Sequence, residues 1–161
     1  MYLLITCEPG REGDAMLELE WALRNVRVHG TRWRGVLIAE TDLPRDEVMR
    51  RLRKFEIQAL QRVVPFDEMV LLEELEGAAM RLVTARRPTG SFAVRARVRG
   101  VRELSAKEIE TRLGSKILNN SPHLRVDLSN PDWILAVEVL GNKVGLGLLR
   151  STDFIRLKSE P

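Results

Sequence analysis

The sequence predicts an α+β fold in two successive halves, and three observations carry this. Short apolar runs of strand length alternate with stretches whose apolar residues recur every three to four positions. Each half holds its own set of both patterns. Val64-Pro65-Phe66 marks the break between them, with no polar linker. At 161 residues the chain has room for one ordinary domain or two small ones. A chain of this size buries roughly two-thirds of its unfolded surface and needs neither metal nor disulfide to fold.

In the first half, Tyr2 to Cys7 reads as a buried strand that turns at Pro9-Gly10. Arg11 to Asn25 is helical, with Ala15, Met16, Leu19, Ala22, Leu23 and Val26 on one side. Leu17 and Trp21 share a second side, so this helix is expected to be covered twice. Val26 to Val28 and Val36 to Thr41 are strands flanking His29-Gly30. Pro44 starts a helix whose apolar stripe is Val48, Leu52 and Phe55. Ile57 to Val64 is a further strand, ended by Pro65. The order βαββαβ is the ferredoxin-like plan, and residues 1–65 are assigned to it.

Residues 66–161 start afresh. Glu68 to Leu75 and Ala78 to Arg87 read as helices divided by Gly77. Ser91 to Arg99 alternates strictly and is a strand. Ser105 opens a helix through a capping box with Glu108, and Ile109, Leu113 and Ile117 form its buried stripe. Leu124 to Leu128, Trp133 to Leu140 and Lys143 to Leu149 are strands, the last two joined by a Gly141-Asn142 hairpin. The two halves are expected to pack directly on one another.

Several function classes drop out. No apolar run approaches the ~20 residues of a membrane span. The start MYLLITCEPG lacks a basic segment followed by a long apolar one, so no signal peptide is expected. The single cysteine, Cys7, excludes an internal disulfide and a cysteine-based zinc site, and reads as a small core residue. His29 and His123 have no acidic or cysteine residue at a ligand spacing. Gly141 to Gly147 lacks the GxGxxG pattern and joins two strands. The carboxylates are scattered. A soluble, cytoplasmic, non-enzymatic protein with no cofactor is expected.

Charge points elsewhere. The chain carries 26 basic and 23 acidic residues, a net +3. Between Arg81 and Arg125, however, 11 basic residues face only Glu103, Glu108 and Glu110. Concentrated guanidinium attracts polyanions because it binds phosphate bidentately and is never neutralised. Along the Phe92–Arg99 strand, Phe92, Val94, Ala96 and Val98 share one face and Arg95, Arg97 and Arg99 the other. Like charges at roughly 6.6 Å spacing repel, and phosphates would supply the missing countercharge. Arg86, Arg87, Arg102, Lys107, Arg112 and Lys116 extend this basic surface, and Asn119 and Asn120 add neutral donors. Arg50, Arg53 and Lys54 form a weaker patch, read as a solvated helix face. Trp33 either stacks a base or packs against the other half.

Phe92-Ala-Val-Arg-Ala-Arg with Gly100, Ser105-Ala-Lys-Glu-Ile with Leu113-Gly114, Val126-Asp-Leu-Ser-Asn-Pro-Asp132 and the Gly145-Leu-Gly147 arm together resemble the THUMP domain. That is an RNA-binding module of tRNA-modifying proteins. The resemblance implies a THUMP domain over residues 66–161 behind a ferredoxin-like domain, the pair recognising the acceptor-stem end of tRNA. Because the sequence ends about a dozen residues after the last strand, it looks most like the stand-alone tRNA-binding adaptors of cytidine N4-acetylation. The implied partners are tRNA and a separate acetyltransferase. The competing reading is a protein-interaction subunit whose basic face meets an acidic partner.

Overall fold

The computed structural model describes residues 1–153 and 155–156. In chain order the elements are β1 (Tyr2–Cys7), α1 (Glu12–Leu23), β2 (Arg27–Gly30), β3 (Val36–Glu40), α2 (Arg45–Lys54), β4 (Leu60–Phe66) and β5 (Glu68–Leu71). They continue with α3 (Leu75–Arg86), β6 (Ser91–Arg99), α4 (Ala106–Asn120), β7 (Arg125–Val126), β8 (Trp133–Leu140), β9 (Lys143–Leu149) and β10 (Ile155–Arg156). This is a mixed α+β fold with two sheets and, among the described residues, four α-helices. No helix among them is long and apolar enough to cross a membrane. The chain divides into two compact units at Phe66/Asp67, and the described residues after Ser151 group with the first.

The first unit is built on the sheet order β10-β4-β1-β3-β2, antiparallel throughout. Leu3 and Ile5 of β1 meet Ala15, Leu19 and Leu23 of α1 and Val48, Met49 and Leu52 of α2 in one core. Glu18 is the polar residue inside it, and its carboxylate accepts the backbone N–H groups of Gln58, Ala59 and Leu60 at 2.8–3.0 Å. A buried carboxylate is tolerated because these donors replace water. The sequence gives it away only through its place on the buried side of α1. Glu12 clips two turns by accepting from Gly10 N–H and Gly35 N–H at 2.7 and 2.9 Å. Gly35 has φ +75°, and a Cβ there would lie 2.6 Å from the Cys7 carbonyl oxygen, so glycine is required. Cys7 is 3% exposed, and burial pushes its thiol up to about 11.

Three expectations for this unit change. His29 and Gly30 do not separate two strands but pair with Ile38 and Leu37 as the end of β2. β4 runs through Pro65 to Phe66, because Pro65 sits opposite Leu3 while β10 reaches only Arg62 and Val63. A proline is admitted where one side of the strand has no ladder to feed. Leu17 and Trp21 are 46% and 65% exposed, so no second cover lies over that side of α1 among the described residues.

The second unit has the order β5-β9-β8-β6-β7, with β6 parallel to β7 and β8 and the rest antiparallel. Phe92, Val94 and Ala96 of β6 pack with Ile109, Leu113 and Ile117 of α4 and Ala78, Ala79, Leu82 and Val83 of α3, so both helices lie on one face of the sheet. Ser105 caps α4, its hydroxyl accepting the Glu108 N–H at 3.1 Å, which is one half of the expected capping box. Residues 68–74 are not α-helical. Glu68 to Leu71 pair with Leu146 to Lys143 of β9, and a short 3-10 turn, Leu72–Glu74, leads into α3. Gly77 does not divide two helices but lies within α3. β7 is two residues long, shorter than the expected Leu124–Leu128 strand.

Candidate nucleic-acid interface

The basic run predicted from Arg81 to Arg125 does not form one patch. Alternation along β6 turns Arg95, Arg97 and Arg99 away from the α3–α4 side, onto the opposite face of the sheet. All three are half-buried rather than projecting freely. Arg99 donates from Nη1 to Glu138 Oε1 at 3.2 Å; the Arg99 side chain is 18% exposed and that of Glu138 only 2%. The parallel register of β6 and β8 sets Glu138 opposite Arg97. A carboxylate from the neighbouring strand therefore supplies countercharge that the sequence assigned to phosphate. The clue was one acid inside the apolar run Trp133–Leu140, with no local hint of its partner.

Arg112 and Lys116 lie in the other layer, exposed on α4, where Lys116 pairs with Glu76 of α3 at 3.4 Å. Arg102 and Lys107 are exposed at the start of α4 and in the loop before it. A third group gathers at the end of the sheet where β6 and β8 begin. His123 Nε2 lies 3.2 Å from the Pro88 carbonyl and Arg125 N–H donates to the Gly90 carbonyl at 3.1 Å, joining the two segments that carry this group. Arg86 closes α3 and pairs with Asp67 at 3.1 Å. Arg87 follows in the left-handed region at φ 46° and is exposed, with no ion pair among the described residues. Asn119 and Asn120 are exposed at the end of α4, and the Asn120 amide donates to the Lys116 carbonyl.

A stiff loop completes this end. Asp127 accepts from the N–H groups of Ser129 and Asn130, each at 3.0 Å, and these bonds hold its carboxyl below the usual range. Asp132 accepts the Ser91 N–H at 2.9 Å and its hydroxyl at 3.2 Å, which lowers its pKa likewise. Gly90, at φ +89°, sits so close that a Cβ would lie 2.3 Å from Asp132 Oδ2. The loop displays Leu128, 73% exposed, whose carbonyl accepts from Arg95 Nη2 at 3.3 Å. Two arginines not singled out from the sequence belong here. Arg125 is exposed at β7, and the Arg150 guanidinium lies 4.4 Å from the Trp133 ring centre.

The first unit offers less free charge. Arg50 and Arg51 hold the Glu47 carboxyl down to about 2, and Arg53 donates to the Thr152 carbonyl. Trp33 is half-buried with the Arg32 guanidinium 4.6 Å from its ring centre. Among the described residues, no group of three or more His, Cys, Asp or Glu could hold a metal ion.

Comparison with known proteins bears on the second unit first, where residues 71–149 match the family described as the THUMP domain. The chain contains a THUMP domain. A probable tRNA sulfurtransferase of Listeria monocytogenes is 36% identical over 121 residues, covering 73% of this chain and 29% of that protein. The crystal structure of TrmN from Thermus thermophilus is 25% identical with a TM-score of 0.69, covering 91% of this chain and 44% of that one. A 4-thiouridine synthetase crystallised with RNA and ATP shares the fold at 21% identity, with a TM-score of 0.65 over 96% of this chain and 41% of that one.

The chain thus spans less than a third of the curated sulfurtransferase it matches. This corrects the expectation of a non-enzymatic chain, because a THUMP-containing stretch like this one is shared with proteins named as enzymes. The acetylation adaptors suggested by the resemblance have no counterpart among these three relatives.

Proposed function

We propose that the chain binds tRNA through its THUMP domain, at the acceptor-stem region, and holds it for a tRNA-modifying activity. The observation that carries this is that exposed Arg87 and Arg125 lie on the two segments joined by the His123–Pro88 and Arg125–Gly90 contacts, with Arg95 bonded to the loop that follows Arg125. Guanidinium groups held at fixed positions, two of them exposed, suit phosphates whose spacing is fixed by RNA. The sulfurtransferase relatives support tRNA as the nucleic acid, and they favour sulfur transfer over cytidine acetylation as the chemistry served. For the first unit we propose the ferredoxin-like assignment; its order β4-β1-β3-β2 and βαββαβ connectivity support it.

Filter binding with tRNA across about 50 to 200 mM salt tests the reading. With six or so phosphates neutralised, log K is expected to fall with log salt at a slope of roughly −4 to −5. A minihelix holding only the acceptor stem is expected to compete as well as whole tRNA, and an anticodon stem-loop poorly. Affinity indifferent to salt, or equal competition by both fragments, would remove the proposal.

A further inference from the structure

On the helix side of the second sheet, a groove of about 410 Å³ runs between the starts of α3 and α4. Leu72, Leu75, Val101 and Leu104 line it and remain partly exposed, above a floor of Ile109 and Leu113. Four carboxylates stand around it: Glu73, Glu76, Glu103 and Glu108. Glu76 shares Lys116, the other three make no ion pair among the described residues, and Arg112 is the one cation in the lining. This sign opposes that of the chain as a whole, which is +3.

Helix electrostatics accounts for Glu76 and Glu108, each in the first turn of its helix. It does not account for Glu103 in the loop, nor for four large apolar side chains left partly in water. We propose that this groove docks a protein partner through a segment with apolar anchors flanked by lysine or arginine. Apolar side chains would fill the groove while cations on the segment's borders meet Glu73, Glu103 and Glu108. A nucleic acid is a poor occupant because its phosphates would face this acidic rim. The arginines of β6 lie on the other face of the same sheet, so an anion held there leaves the groove free.

The test uses the full chain and a synthetic peptide of about 14 residues, with leucine at helical i, i+3, i+4 and i+7 positions and lysine elsewhere. Backbone amide shifts on adding the peptide are expected at Leu72, Val101 and Leu104. A scrambled peptide of the same composition, and the variant Glu73→Gln/Glu103→Gln/Glu108→Gln, are each expected to bind about tenfold more weakly. These exposed positions leave the core intact, and an unchanged far-field amide spectrum verifies it. Equal binding by the scrambled peptide or by the variant would reduce the effect to bulk charge and overturn the proposal. So would shifts confined to other residues, the same amides moving with tRNA instead, or self-association of the chain that the triple variant abolishes.

Discussion

Glu138→Ala is expected to lower folding stability by about 3 kcal/mol, the low end for breaking a buried ion pair. Glu138 is 1% exposed, and Arg99 rests against it with little access to water. Truncating the acid leaves a guanidinium with its countercharge gone and a space where the carboxylate stood. For a chain of this size, unfolding as one, the melting temperature should fall by roughly 6–12 °C. The double variant Glu138→Leu/Arg99→Met removes both charges and fills the space, so it should recover most of the loss. Calorimetry on the two variants decides the matter. A fall under about 1 kcal/mol for Glu138→Ala would show that the carboxylate is not the countercharge of this face. The same variant separates two views of RNA binding. Net charge alone predicts tighter tRNA binding once an acid is lost, whereas an arginine row held in place by Glu138 predicts weaker binding.

Arg87→Gln/Arg95→Gln/Arg125→Gln is expected to weaken tRNA binding by about a hundredfold and to reduce the salt slope by about three units. Two of these arginines are exposed and the third, half-buried, donates to a carbonyl, so glutamine should cost the fold little. The matched control is Arg50→Gln/Arg53→Gln/Lys54→Gln, which removes equal charge from α2. Its expected effect on affinity is under about threefold, since Glu47 and the Thr152 carbonyl already engage two of the three groups. Equal losses from both triple variants would mean that only total charge matters. Wild-type binding by the first variant, with its melting curve unchanged, would move the site elsewhere.

Elements fixed by local pattern were legible in the sequence. β6, β8 and β9 fall on the expected residues, as do the Ser105 cap and the Ile109-Leu113-Ile117 stripe. Their signals lie within a few residues: strict alternation, a two-residue hairpin, a serine three positions before a glutamate. Residues 68–75 failed because Met69-Val-Leu-Leu with flanking glutamates suits a helix face as well as an edge strand. The edge of β9, more than seventy residues away, settles it. Gly77 was overweighted: about 1 kcal/mol of helix propensity is outweighed by burial of the adjacent Ala78 and Ala79. The site was legible in composition but not in layout. Eleven cations in one stretch promised a single surface, yet strand alternation and the helix layer send them to different faces. Glu138 illustrates the limit, since its partner lies 39 residues back and only the β6–β8 register brings them together.

Cys7 gives the molecule a practical asset. Burial pushes the thiol up to about 11, so little thiolate forms at neutral pH, and the strand shields the sulfur from reagents. The wild-type background is thus chemically silent toward maleimide dyes under brief, mild labelling. A cysteine introduced at an exposed position such as Ser129 would take up the fluorophore alone, with no need to engineer the native one away. A single reporter on the stiff loop could then follow arrival and departure of RNA in real time.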